Sequence, residues 1–338
     1  AVAAVEAFEG LAWDPALLER LQAGAGALAG RPIRFHNPSF KTCHNPELAG
    51  CGGAPWPAVS ITGPECRLQC DHCRGEVLAP MTPARDPATF RRVAEAAAAA
   101  GAGGLLVTGG SNRRNEVEYG PFLPAFRRLK DRYPALQLAV HTGLMGPAEA
   151  AALAEAGVDV AMVDVVGARD TVRQVYHLKR DPEAFERTLA ALLATGMRVV
   201  PHIVIGLHYG HLLGEWQALE VLRRQRPPAA VLVVAMPHYA PPERPFRVPE
   251  AGEAARFLLD ARRALPETDL QLGCARPPGA HRARLDAYAV LAGLDGVVHP
   301  AEGVVELARR LGRPVTVAAG CCSVAEQGGL PMPARRAG

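Results

Sequence analysis

Three cysteines, Cys66, Cys70 and Cys73, stand at the spacing C-x3-C-x2-C straight after the apolar run Ala58–Ile61. Thiolates hold iron–sulfur clusters, and a four-iron cubane normally takes four of them. Three from one tight loop leave one iron without a protein ligand. An open coordination position is what a catalytic metal centre keeps and a structural one closes. The alternative is a zinc knuckle or three unrelated buried cysteines. Zinc sites favour paired C-x2-C elements, and no matching pair exists here. Five more cysteines lie elsewhere. Cys43 and Cys51 flank a proline-rich stretch, Cys321 and Cys322 precede Ser323, and Cys274 stands alone. A second cluster needs three or four ligands, so Cys43, Cys51, Cys321, Cys322 and Ser323 are candidate ligands of an auxiliary cluster, provided the tail folds back over the mouth of the fold. Cys274 is ambiguous, since free cysteine is a common buried hydrophobe.

The elements that must position these groups alternate. Short β-branched or leucine-rich runs, suited to strands buried on both faces, fall at 58–62, 104–109, 137–142, 159–166, 198–206, 230–236, 270–274 and 296–299. Helical runs fill the gaps. Asp86-Pro87 and Asp181-Pro182 each open one, with Gly101 and Gly196 closing it, a full set of start and stop signals. Others are Pro147–Ala156, Pro121–Arg132, Leu212–Arg224, Glu250–Ala264, Ala280–Leu291 and Ala301–Leu311. Alternation without hairpin signals predicts a parallel sheet with crossover helices. The expected fold class is α/β, a TIM-type barrel, either complete (β/α)8 or partial (β/α)6. Three regions follow: 1–57 with leading helices and an irregular cysteine-bearing segment (Arg31–Pro57), the barrel over 58–312, and a tail over 313–338 carrying Cys-Cys-Ser.

In such barrels chemistry sits at the C-terminal ends of strands. That rule selects Thr108, Gly109, Gly110 and Ser111 after the second strand, His141 and Thr142 at the third, and Asp164 and Gly167 at the fourth. It selects His202 through Gly206 and His208 at the fifth, Met236-Pro237 at the sixth, and Cys274 through Pro277 at the seventh. Arg169, Glu215 and Arg276 are candidates for contacts to ribose, carboxylate or substrate.

The chain has 338 residues, nearly half apolar, with a net charge of +3 and spread basic residues. That offers no electrostatic footprint for nucleic acid, and no apolar run is long enough to span a membrane. Ala1–Gly30 lacks the basic start of a signal peptide, and eight cysteines then fit metal chemistry in a reducing, cytoplasmic setting.

Several stretches together resemble one branch of the radical S-adenosylmethionine (SAM) superfamily. They are Pro57-Ala58-Val59-Ser60-Ile61-Thr62-Gly63, the triad with Cys70-Asp71-His72-Cys73, Thr108-Gly109-Gly110-Ser111, Val140-His141-Thr142-Gly143, Pro201-His202-Ile203 with Gly206-Leu207-His208, and Leu272-Gly273-Cys274-Ala275-Arg276-Pro277. The branch includes biotin synthase and the two-protein lipoyl synthases. His72 stands where the family usually has an aromatic residue, and Ser111 where it usually has an acid.

The resemblance implies a four-iron, four-sulfur cluster on Cys66, Cys70 and Cys73 whose open iron is chelated by SAM. It implies that Gly109 and Gly110 meet the methionine amine and that Val204-Ile205-Gly206 packs on the adenine. The cofactor-binding candidates are then Gly109, Gly110, Ser111, His141, Asp164, Arg169, His202, Ile205 and Gly206. The implied chemistry is reductive cleavage of SAM to a 5′-deoxyadenosyl radical, hydrogen abstraction from an unactivated C–H bond, and quenching of the carbon radical by a sulfide of an auxiliary cluster. The chain is expected to be a sulfurtransferase, one component of a lipoyl synthase. Its expected partners are an octanoylated lipoyl carrier protein, a second radical SAM protein, and an electron donor such as ferredoxin or flavodoxin. A maturase or mutase of the same branch without sulfur donation, and a non-catalytic cluster scaffold, are the other two expectations.

Overall fold

A computed structural model describes residues 1–38, 45–48, 54–236, 240, 242–324 and 330–331. Its centre is one curled sheet. The strands in chain order are β1 (Ile33–His36), β2 (Ala58–Ser60), β3 (Thr82–Pro83), β4 (Gly104–Thr108), β5 (Gln137–Thr142), β6 (Val160–Asp164), β7 (Arg198–Ile205), β8 (Ala229–Val234), β9 (Asp269–Leu272), β10 (Gly296–Val298), β11 (Val315–Ala318) and β12 (Leu330–Pro331). They lie in the order β12-β11-β1-β10-β9-β8-β7-β6-β5-β4-β2-β3, and only the β11–β12 pair is antiparallel.

The α/β TIM-type fold and each of the eight expected strands are present, as β2 and β4 to β10. Closure is not. β1 inserts between β10 and β11, parallel to both, and the edges β3 and β12 do not pair. The sheet is an open half-barrel of eleven parallel strands rather than a ring of eight or an arc of six. β1 arises inside the segment expected to be irregular, and β11 inside the tail.

The helix ends follow their sequence signals with one exception. Asp86 caps the helix Pro87–Ala99 by accepting from the amides of Ala88 and Thr89 at 3.0 and 2.9 Å. Asp181 does not cap the next example: that helix starts at Glu183, and the Asp181 carboxylate instead pairs with Arg169 at 3.2 Å. The leading segment holds one α-helix, Pro15–Ala23, among short 3-10 turns.

Strand alternation sorts the apolar residues into distinct cores. Leu138, Val140, Ala161, Val163, Val199 and Ile203 face the helices in the large outer core. Ala139, Met162, Val200, Val231 and Val298 face inward and fill the barrel with Trp56. A third cluster, with Leu68, Val172, Tyr176, Phe185 and Phe246, roofs the C-terminal ends of the strands. The same parity that turns Ala139, Met162 and Val200 inward turns His141, Asp164 and His202 inward at the top of their strands.

No described helix is long and apolar enough to cross a membrane.

Candidate active site

The cysteine loop grows directly out of β2. Ser60 Oγ donates to the Gly63 carbonyl at 2.6 Å, and Thr62 Oγ1 donates to the Glu65 carbonyl at 2.8 Å while accepting the Gly110 amide at 2.7 Å. The loop then winds through short turns, with the Arg74 amide donating to the Cys70 carbonyl at 2.8 Å and the Glu76 amide to the Cys73 carbonyl at 2.8 Å. From the neighbouring strand, the Ser111 carbonyl accepts from the amides of Arg67 and Leu68 at 2.9 and 3.2 Å.

Gly110 explains itself by space. A Cβ there would lie 1.9 Å from the Glu65 carbonyl oxygen and 2.5 Å from Cys66 Cα. The di-glycine therefore lets the cysteine loop lie flat on the end of β4.

Cys66, Cys70 and Cys73 line one cavity of about 240 Å³, together with Gly109, Gly110 and Ser111 on one side and His141, Thr142, Asp164 and Tyr176 on the other. Burial, with Cys73 and Cys66 beside it, pushes the Cys70 thiol far up, and burial pushes Cys73 to about 11. Such thiols ionise when a metal supplies the opposing charge. Three thiols around a shared cavity suit a cluster, whose ligands attach to different irons, and the donor chemistry fits.

His72 is buried against Tyr176, ring centroids 5.3 Å apart, and burial draws its imidazole below the ordinary histidine range, with Asp164 and Asp71 opposing. It takes the packing place of an aromatic ring. Across the cavity, Tyr176 donates to Asp164 at 3.4 Å, Asp164 lies 3.6 Å from His141 Nε2, and His141 stacks edge-on to His202 at 5.3 Å. Burial holds His202 down to about 4, with its Nδ1 3.1 Å from the Val200 carbonyl. This layer is a polar floor below the thiols.

Asp71 carries contacts that the spacing did not reveal. Its carboxylate accepts from Tyr209 Oη at 2.8 Å, lies 2.8 Å from His177 Nε2 and 3.4 Å from Arg244 Nη1. Its amide donates to the Val175 carbonyl at 2.9 Å. One acid thus ties the loop to the helix Arg169–Gln174 and to the turn after β7. Its place between Cys70 and Cys73 was the only hint available, because its partners are remote in sequence.

Other expected contacts fall elsewhere. Arg276 is fully buried and pairs with Asp286 through two bonds of 2.6 and 2.8 Å, while also holding the Gly273 and His299 carbonyls. It locks β9 to the helix Ala280–Leu291. Arg169 is exposed beside Asp181. Ile205 turns its side chain into the outer core, because the inward parity belongs to Val204. Gly206 has φ +77°, and a Cβ there would lie 2.3 Å from Pro249 Cγ. Its amide donates to Glu215 Oε1 at 2.7 Å, so Glu215 braces the turn after β7. His208 lies beyond the rim, 3.3 Å from Thr171 Oγ1.

Cys43, Cys51 and Pro237 lie outside the described residues. Cys321 and Cys322 are buried in the inner core, with Cys274 partly buried against it. The described residues 319–324 of the tail run down inside the barrel. Asn37 donates its amide to the Ala318 carbonyl at 2.8 Å at the end of β11, and Arg198, at the start of β7, donates to the Ser323 carbonyl at 2.9 Å. The Cys322 thiol beside it holds Cys321 down to about 7, and the same contact pushes Cys322 up.

Residues 60–222 match the family model of the Radical SAM superfamily. No curated protein matches the sequence. Among solved structures, HydG, titled a maturase of the FeFe-hydrogenase, aligns with a TM-score of 0.59 at 11% identity, covering 91% of this chain and 70% of that one. Methylornithine synthase PylB aligns with a TM-score of 0.59 at 14% identity, covering 89% and 88%. HydG from Carboxydothermus hydrogenoformans aligns at 0.58 and 13%, covering 92% and 74%. At these identities the likeness is one of fold.

Proposed function

Taking residues 60–222 as a radical SAM superfamily domain, we propose that this chain is the sulfur-inserting component of a lipoyl synthase, acting on octanoyl-lysine of a lipoyl carrier protein together with a second radical SAM protein. The observation that carries the radical chemistry is the convergence of Cys66, Cys70 and Cys73 on one cavity at the C-terminal ends of the strands. Bound there, a four-iron cluster and SAM supply, on reduction, a 5′-deoxyadenosyl radical able to take hydrogen from an unactivated C–H bond.

The chain's own residues do the rest. The triad holds the cluster and leaves one iron to SAM. The backbone at Gly110 and Ser111, with Thr142, borders the space beside it. The apolar cluster with Leu68 and Phe246 over the strand ends would keep water from a reactive radical. His141, Asp164 and His202 face whatever enters from the interior. Sulfur insertion is supported by the further cysteines at both flanks, Cys43 and Cys51 on one side and Cys321 and Cys322 on the other. The electron for a cluster held there would come from a donor such as ferredoxin or flavodoxin.

The test is anaerobic turnover with dithionite, SAM, the second protein and octanoylated carrier domain. Thiolated octanoyl-lysine is the expected product. 5′-Deoxyadenosine formed without thiolated peptide would move the chain to maturase or mutase chemistry, and intact SAM would remove the enzymatic function altogether.

A further inference from the structure

A cluster on the triad needs an electron from outside, and the outward side of the cysteine loop is where the wall between thiols and solvent is one residue thick. Cys66 and Cys73 are half-buried, whereas Cys70 is buried. Gly75 lies directly on Cys66: a Cβ there would stand 2.9 Å from Cys66 Cβ. Gln69 Nε2 donates to the Cys66 and Arg74 carbonyls at 2.7 and 3.3 Å, which folds the Arg74–Gly75 turn back over Cys66. Val77, just beyond, lines the thiol cavity and is also 40% exposed.

The charges around Val77 are lopsided. Arg67 and Arg74, on the loop itself, are exposed, and no described carboxylate lies within ion-pair reach of either. Arg113, exposed as well, belongs to the segment whose Ser111 carbonyl holds the Arg67 amide. Exposed Lys179 follows His177, which meets Asp71 on the same loop. Two of the loop's three acids are taken up: Glu65 pairs with Arg85 at 2.9 Å, and Asp71 with His177 and Arg244. Glu76 alone on the loop stays exposed without a partner among the described residues. An exposed apolar side chain with a charged rim is the anatomy of a small interface, and a patch of one sign steers and orients a partner of the other. A C–H substrate needs the inner side of the cavity, where His141 and Asp164 stand. The outward side meets the thiol loop, so the occupant it suits delivers an electron and no atoms.

We propose that Arg67, Arg74 and Val77 form the docking face of an acidic one-electron carrier protein, whose redox group comes to rest over the Val77 wall. This rests on the reading that the triad holds a reducible cluster. The transfer moves one electron: the carrier is oxidised by one, the cluster is reduced by one, and no bond forms or breaks. Electron-transfer encounters are weak and bury less than about 1,200 Å², so a small charged face suffices.

The experiment uses the full chain, reconstituted anaerobically, with flavodoxin as the probe. Binding of oxidised flavodoxin is read by isothermal titration calorimetry. SAM cleavage is followed with reduced flavodoxin and, separately, with dithionite. Arg67→Gln/Arg74→Gln is expected to weaken flavodoxin binding about tenfold at low salt and to slow flavodoxin-driven cleavage by a like factor below saturation. Glu76→Gln is expected to move both readings the other way. Both effects shrink at about 0.15 M salt, where the Debye length is about 8 Å. Dithionite-driven cleavage and iron content stay as in wild type. Unchanged flavodoxin binding in both variants overturns the proposal. So does a double variant that also loses iron or dithionite-driven cleavage, because the arginines then serve the loop. So does one that weakens binding of the octanoylated carrier domain and not of flavodoxin, because the face then belongs to the substrate. Wild type that leaves SAM intact with dithionite sinks the cluster reading instead, so the two fail separately.

Discussion

Cys66, Cys70 and Cys73 occupy a loop held by polar contacts above the strands, whereas Cys274, Cys321 and Cys322 lie among valine, alanine and methionine inside them. The upper set opens onto a cavity, and backbone bonds to Ser111 and the anchors of Asp71 fix its loop from outside. The lower set is fixed by packing. The contrast shows that one side chain can be arranged in two ways: local spacing sets the first, and chain topology sets the second. The upper set therefore responds to changes in loop geometry, and the lower to changes in core volume and burial.

The largest expected effect separates the two directly. Cys70→Ala is expected to abolish SAM cleavage, by on the order of 10³-fold or more, while leaving the interior thiols as reactive as before on denaturation-controlled thiol titration. Next comes Gly110→Ala. Its Cβ would press on the Glu65 carbonyl and Cys66 Cα, and overpacking of this kind costs about 1–3 kcal/mol. We expect loss of iron from the triad in iron analysis, with the circular dichroism spectrum unchanged. Full retention of iron would mean that the cysteine loop accommodates the added methyl.

Asp71→Asn tests the anchor. It keeps the side chain's size but exchanges an acceptor oxygen for a donor facing Tyr209, His177 and Arg244. The expected cost is about 1–3 kcal/mol in urea unfolding. Because the residue positions the loop rather than touching substrate, KM for SAM is expected to rise with kcat little changed.

A smaller effect comes from pH. Burial holds His202 down to about 4 from 6.5, His141 adds to this, and Asp164 and the Val200 carbonyl oppose it. The unfolded chain takes this proton near 6.5 and the native state only near 4, so stability is full above 6.5 and falls as pH drops between the two values. His36 in the interior, held to about 3 chiefly by burial, extends the loss to lower pH. His202→Gln is expected to flatten the upper part of a Tm-against-pH curve and leave the lower part. An unchanged curve would show that His202 does not carry the slope.

How much of this was legible in the sequence follows the same division. Eight strands and the triad could be read, because alternation and C-x3-C-x2-C are local patterns. The open sheet could not, since Ile33–His36 is too short and too close to prolines to signal a strand that only β10 and β11 stabilise. His141, Asp164 and His202 were picked out by the strand-end rule, and strand parity turns them inward, whereas Ile205 stands one residue out of phase and turns to the helices. A tail folded back over the mouth was the condition for the flanking cysteines to share a cluster. The described residues 319–324 run inside instead, where Arg198 donates to the Ser323 carbonyl, a pairing between residues remote in sequence. Arg276 was sought as a ligand contact because it ends a strand motif. Its partner Asp286 lies on the next helix and, with the Gly273 and His299 carbonyls, takes up the guanidinium.

Arg169→Ala gives the smallest expected effect and sharpens the boundary of the upper site. The side chain was a candidate for SAM contact, yet it is more than half exposed and pairs with an equally exposed Asp181 at 3.2 Å. Exposed pairs contribute about 0.2–1 kcal/mol, so Tm is expected to move by a degree or two at most in a chain of this length. It lines no part of the cavity that the thiols share, and SAM affinity in equilibrium dialysis is expected to stay as in wild type. A tenfold loss of affinity would mean that the helix Arg169–Gln174 swings over the cofactor on binding. In that case Asp71, which holds that helix to the cysteine loop, acts as its hinge, and the upper site would be shaped by closure as well as by local spacing.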